Sequence, residues 1–275
     1  MKKNLKKKLK KAKKLPLLRN YGLQILPPKQ TDYVLGGLTK LPKTVLQPDG
    51  QWDAFLPQPE FQALGVETMA CTCFGTLSAV EILTKRLFGN EKNFSDRWLA
   101  QKAKISPSGA DPHAVAEVLR NHDDSACPYQ SRWDYTVQQN TWDLFYETPP
   151  EEVSSFAPKD FEYVFSHEYV PSTIEAIKEA LTYSPLGGSV VAWILNGDIY
   201  FKPEGARDNH WCVIYGWTEK NGKFLLKIFD SYDNTTKLYD GMPLIIKRYH
   251  LAKKTSKPKL TWLQLICRIF GKVVR

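Results

Sequence analysis

Three residues of this 275-residue chain have the types and settings that thiol-based acyl transfer requires. Cys71 stands where an irregular polar segment passes into a long helical pattern, the place where a helix N-terminus favours a thiolate. His210 opens the apolar run His-Trp-Cys-Val-Ile-Tyr-Gly-Trp and is suited to hold the proton that such a thiol gives up. Asp230 follows a second run, Phe224-Leu-Leu-Lys-Ile-Phe229, and is suited to orient that imidazole. Between the two runs lies Asn221-Gly222, a strong hairpin signal. A hairpin there brings His210 and Asp230 to neighbouring strand ends.

Holding these side chains together takes a helix and an antiparallel sheet. From Cys71 to about Phe88 the pattern is helical, with Phe74, Leu77, Val80 or Glu81, Thr84 and Leu87 on one stripe. Ser95 reads as the cap of a helix over 96–104, and Asp111-Pro112 opens another through 121. Residues 122–171 read as aromatic and irregular, and a further helix is expected over 172–181. Beyond Pro185 the period changes to that of strands, over 189–195, 210–217, 224–229 and 244–249. Helices first and strands later predict an α+β fold with two segregated halves. Residues 21–60, broken by Pro27-Pro28, Gly36-Gly37, Pro42 and Pro48-Asp49-Gly50, predict an extended lead-in lying over the surface.

The net charge of +9 is carried by the ends. Residues 1–20 hold nine Lys and one Arg, and residues 247–275 hold nine more Lys and Arg, neither with an acid. That leaves 19 bases against 29 acids between them. Three divisions follow: a basic arm and lead-in over 1–50, a catalytic domain over 51–250, and a basic tail over 251–275, amphipathic from Leu260. Both tails suit contact with nucleic acid or an anionic surface. Five cysteines form no even framework, so a reducing, cytoplasmic compartment is expected. There is no apolar leader pattern and no run long enough to span a membrane. The remaining histidines, His113, His122, His167 and His250, fall into no metal-ligand spacing. Neither metal nor cofactor is expected.

These residues resemble the papain-like cysteine peptidases. Cys71-Thr-Cys-Phe-Gly-Thr-Leu-Ser-Ala-Val-Glu81, then Gly89-Asn90 and Phe94-Ser95, is similar to the family's catalytic helix and its sequel without gaps. His210 with Gly216 resembles its His strand and glycine turn, and Asp230-Ser231-Tyr232 its Asn-Ser-Trp. Ser189-Val-Val-Ala resembles the strand that follows its crossover. The resemblance implies a helical half carrying Cys71 against an antiparallel, barrel-like β half, with a polypeptide substrate in the cleft between. It selects Cys71 over Cys73 as nucleophile, since Glu81, Gly89-Asn90 and Ser95 then keep register; Cys73 stays the alternative. Gln62 would supply the oxyanion donor if three extra residues loop out before Cys71. Trp211 and Val191 would line the substrate groove. Asp230 replaces the usual Asn, and Tyr232 replaces a Trp that shields the pair. Thr68 stands in place of the family's disulfide cysteine. The family's propeptide pattern is missing, and the lead-in is short for one. The domain and its lack of a leader also resemble bacteriophage-encoded members, which would allow association with a virion.

Two other uses of the same fold fit the residues. One is a deamidase- or transglutaminase-type use of the triad. The other is a catalytically silent binding module docked by its basic tails.

Overall fold

The computed structural model describes residues 22–29, 32–37, 41–121, 126–192, 194–195, 199–232 and 236–254. The basic arm over 1–20 and the amphipathic run from Leu260 lie outside them, as does His122.

The first helix, α1 (Cys71–Phe88), runs through the centre of the molecule. It ends where Gly89 turns to φ 71°, its N–H closing on the Lys85 carbonyl, a left-handed cap that glycine enters at little cost. A single apolar stripe predicts one buried face. Instead every residue from Cys71 to Thr84 is buried, because α1 packs against helices on one side and strands on the other. Small residues permit that approach. A Cβ on Gly75 would stand 2.8 Å from Cδ1 of Trp211.

The other helices begin where polar caps allow. Ser95 Oγ accepts from Trp98 N at the start of α2 (Asp96–Lys102). Asp111 Oδ2 accepts from Ala114 N at the start of α3 (Pro112–Asn121). Two helices that periodicity did not reveal, α4 (Trp142–Phe145) and α5 (Glu151–Asp160), fall in the stretch expected to be irregular. Buried Arg97 organises part of that stretch. Its guanidinium donates to the carbonyls of Phe145 and Asp134 and to Glu147 Oε1, with the Trp133 ring 4.0 Å away. The last helix, α6 (Ile174–Leu181), is capped by Thr173.

The β half is one sheet of β1 (Tyr163–Tyr169), β2 (Leu186–Val190), β3 (Ile194–Leu195), β4 (Ile199–Phe201), β5 (His210–Lys220), β6 (Lys223–Phe229), β7 (Thr236–Asp240) and β8 (Ile246–Lys253). The order is β1-β8-β2-β5-β6-β7-β4-β3. All pairs are antiparallel except β4 with β7. The predicted hairpin is present: Asn221 and Gly222 have φ of 54° and 71°, as the tight turn between β5 and β6 demands. β1 was not expected at all; it forms because β8 pairs with it on one side and with β2 on the other. That pairing also carries β8 to Lys253, three residues past the expected domain end.

The lead-in departs most from expectation. Much of it lies over the surface as expected, but it also enters the fold at two places. Leu23 forms a parallel bridge with Ala110, and Val34 one with Tyr169. Leu23, Leu35, Leu41 and Trp52 are all buried, so the segment expected to lie over the surface also contributes to the core. Among the described residues no helix is long and apolar enough to cross a membrane.

Candidate active site

Cys71 is the first residue of α1, and the preceding chain holds it there through an uncommon backbone. Met69 has φ 56°, a left-handed conformation that costs a side-chain-bearing residue energy unless its surroundings enforce it. Glu67 Oε1 does so by accepting from Met69 N, while Tyr146 donates to the Thr68 carbonyl. Ala70 provides no side-chain cap, so no cap side chain competes for the first backbone donors of α1. The two neighbouring thiols differ in surroundings. Cys73 lies in the main core, and burial pushes its thiol well up. Cys71 lies in a smaller cluster with Leu23, Tyr169, Trp211 and Ile245.

His210 is the first residue of β5 and Asp230 follows the last of β6, and the hairpin brings them together. His210 Nε2 and Asp230 Oδ1 are 2.8 Å apart, both side chains wholly buried. Asp230 has further partners: Tyr200 donates to its Oδ2 at 2.6 Å, and the Lys237 ammonium lies 3.2 Å from the same oxygen. Burial alone would raise this carboxyl, yet His210, Lys237 and Tyr200 hold it down at about 2. Burial opposes a charged imidazole as well, but the neighbouring Cys212 and Asp230 outweigh it and lift His210 well above its ordinary value. Burial pushes Cys212 itself up to about 11. The effective charge beside the imidazole at neutral pH is therefore the carboxylate. The Tyr232 ring stands edge-on to His210 at 5.5 Å, where a shield for the pair was expected.

Gln62 reaches this region from the other half. Its N–H donates to the Ser231 carbonyl, and its Oε1 accepts from Ser231 Oγ. One hydrogen of its amide goes to Glu67 Oε1. The chain after Gln62 closes around a single hydroxyl. Tyr135 accepts from Gly65 N and Val66 N and lies within bonding distance of the carbonyls of Gln62 and Val66.

Trp211 is fully buried between Gly75 of α1 and Gly187 of β2. It packs in the Cys71 cluster from inside rather than flanking an open groove. Val191 is likewise buried just past β2, and neither has solvent exposure here. What covers the cluster is the chain itself. Gly22 passes between two loops so closely that its Cβ would stand 1.9 Å from the Met69 carbonyl oxygen, while a Cβ on Gly109 would stand 1.8 Å from Gly22 O. Ala110 N donates to Gly22 O and Gln24 N to Ala110 O. Leu23, held by its isolated bridge to Ala110, thus joins the cluster that contains Cys71.

Sequence reasoning missed Cys212, Tyr200 and Lys237 around the histidine. Cys212 was open to detection, since residues two apart on a strand share a face. Tyr200 and Lys237 come from β4 and β7, whose pairing no local pattern announces. The fold also brings His113 and His167 together with Glu117, residues that fall into no ligand spacing along the sequence.

No family model matches this sequence, and no curated protein matches it. Solved structures do. The chain is similar to the ragweed pollen cysteine protease Amb a 11 in its proform, at 15% identity over 80% of this chain and 69% of that one, TM-score 0.57. It is similar to the cysteine protease and lectin-like domains of Cwp84, a surface-layer-associated protein of Clostridium difficile, at 15% identity over 91% and 60% of the two chains, TM-score 0.64. It is also similar to bromelain from Ananas comosus in complex with the E64 inhibitor, at 16% identity over 74% and 98%, TM-score 0.57. At such identities the likeness is one of fold, and the fold is papain-like. The expectation of a bacteriophage origin draws no support from these structures.

Proposed function

We propose that this chain is a papain-fold cysteine peptidase that cleaves polypeptides through Cys71, His210 and Asp230. The observation that carries the reading is the buried His210–Asp230 pair at 2.8 Å, on a strand packed against the helix that Cys71 begins. Solved cysteine proteases of the same fold support the class of reaction.

The chemistry follows from the groups present. Asp230, charged at neutral pH, holds the imidazole by Nε2 and favours its protonated form. His210 therefore keeps the proton taken from Cys71. The thiolate sulfur bonds to the peptide carbonyl carbon, and the carbonyl electron pair moves to oxygen. The Cys71 N–H and the Gln62 side-chain amide are of the donor types suited to hold that oxyanion. Collapse breaks the C–N bond as His210 protonates the leaving amine. Water, deprotonated by His210, then hydrolyses the thioester and returns the thiol. Each group acts where charge develops, in a dry site where such interactions are strongest.

The bridged segment around Leu23 qualifies the state in which the chain rests. With Cys71 wholly buried and Leu23 packed in its cluster, we read the described form as self-covered: residues 22–24 must leave before a substrate enters. The experiment is reaction of the full chain with an epoxysuccinyl thiol reagent, before and after the cover is unseated, read by peptide mass spectrometry. The expected adduct is on Cys71 and increases on unseating. An adduct on Cys73 instead overturns the choice of nucleophile. No adduct in either state favours the silent binding module.

A further inference from the structure

Away from His210, α3 and β1 enclose a polar cavity of about 60 Å³. His113 and Glu117 lie four residues apart on α3 and so share a face; His167 comes from β1. Each offers one ligand atom, and these atoms lie within 4.8 Å of one another. A carboxylate stands at the Nε2 of each ring, Glu117 Oε1 at 2.7 Å from His167 and Asp32 Oδ1 at 3.6 Å from His113. Both Nδ1 atoms approach one point, the Nζ of Lys247, at 3.2 Å from His113 and 3.1 Å from His167.

Asp32 behind His113, whose other nitrogen faces a cation, is the arrangement that orients a histidine on a metal ion, while Glu117 beside His167 is itself within reach as a ligand. Here a lysine nitrogen stands in the cation's place. Lys247 is not bound to that role alone, because the face of Tyr169 lies 3.5 Å from its Nζ and can keep it. The charges around the cluster are balanced towards a cation: Asp32, Asp111 and Glu117 against Lys247 and Arg120, the last paired with Glu117.

We propose that His113, Glu117 and His167 form a seat for a divalent transition-metal ion of the zinc class, with Lys247 as its built-in competitor. Two imidazoles and a carboxylate are a donor set that zinc and its neighbours accept. The site is independent of the peptidase reading, since it shares no residue with the His210 pair and its test needs no turnover.

The test is titration of cobalt(II) into the full-length, metal-free chain, read by visible absorption. The expected result is a saturable band of nitrogen and oxygen ligation, without a thiolate-to-metal charge-transfer band. His167→Ala and His113→Gln should each weaken binding by about tenfold or more, and Lys247→Met should strengthen it. His113 is only half-buried, so His113→Gln keeps the test open if His167→Ala fails to fold. No saturable band in the wild-type chain overturns the proposal. So does a band with thiolate character, or one that His113→Gln leaves unchanged.

Discussion

One carboxylate oxygen of Asp230 holds the imidazole of His210 at 2.8 Å with no solvent on either side chain. The other oxygen answers to Tyr200 and Lys237. A buried carboxylate between an imidazole and an ammonium is costly to form and more costly to break, because removing one member leaves a bare charge inside.

Asp230→Asn tests that balance. Losing the carboxylate strands Lys237 and should cost about 3–5 kcal/mol of stability, the range for breaking a buried pair. The pH dependence has a definite sign. Asp230, held at about 2, contributes stability above its ordinary pKa and loses it as pH falls towards that value. His210, held high, contributes fully below its ordinary pKa and loses that contribution as pH rises through its raised one. Urea unfolding against pH should show both edges in the wild type and neither in the variant.

The same substitution should move activity. With no carboxylate beside it, His210 falls towards its ordinary pKa, so the alkaline limb of kcat/KM shifts to lower pH. An unmoved limb would show that Asp230 does not set the proton affinity of the base.

Thiol reactivity should separate the cysteines. Burial holds Cys73, Cys127 and Cys212 as neutral thiols, which react poorly. Mass spectrometry of the native chain after mild alkylation at neutral pH should find these three unmodified and find them labelled in urea. Cys73→Ser should leave the labelling of Cys71 unchanged.

Leu23→Asp should uncover Cys71 in the full-length chain. Placing a charge in an apolar cluster removes about 2 kcal/mol of burial, equivalent to roughly thirty-fold more of the open form. Labelling of Cys71 should accelerate accordingly. An unchanged rate means that residues 22–24 are not what limits access.

Gln62 and Tyr135 should separate by what they disturb. Gln62→Ala should lower kcat by about a hundredfold or more with little change in KM, the signature of a lost oxyanion donor. Tyr135→Phe should cost about 1–3 kcal/mol of stability, because Gly65 N and Val66 N lose their shared acceptor.

Local pattern carried a good part of this molecule. The start and end of α1, the caps at Ser95 and Asp111, the Asn221-Gly222 turn and hence the meeting of His210 with Asp230 were all legible. Each rests on interactions within a few residues, or across one tight turn. Two things local pattern could not carry were β1, hidden in an aromatic stretch, and the helices at 142 and 151. Their stability comes from partners such as β8 and Arg97, far away in the chain.

The sequence by itself determined which residues have the types that thiol chemistry needs and that a hairpin would pair His210 with Asp230. Only the tertiary structure decided what surrounds them. Lys237 and Tyr200 reach Asp230 through strand pairing, Leu23 joins the Cys71 cluster beside its bridge to Ala110, and His113 meets His167 because α3 lies against β1. Backbone hydrogen bonding between distant segments and the close packing of small residues set these neighbours, and neither leaves a periodic mark along the chain.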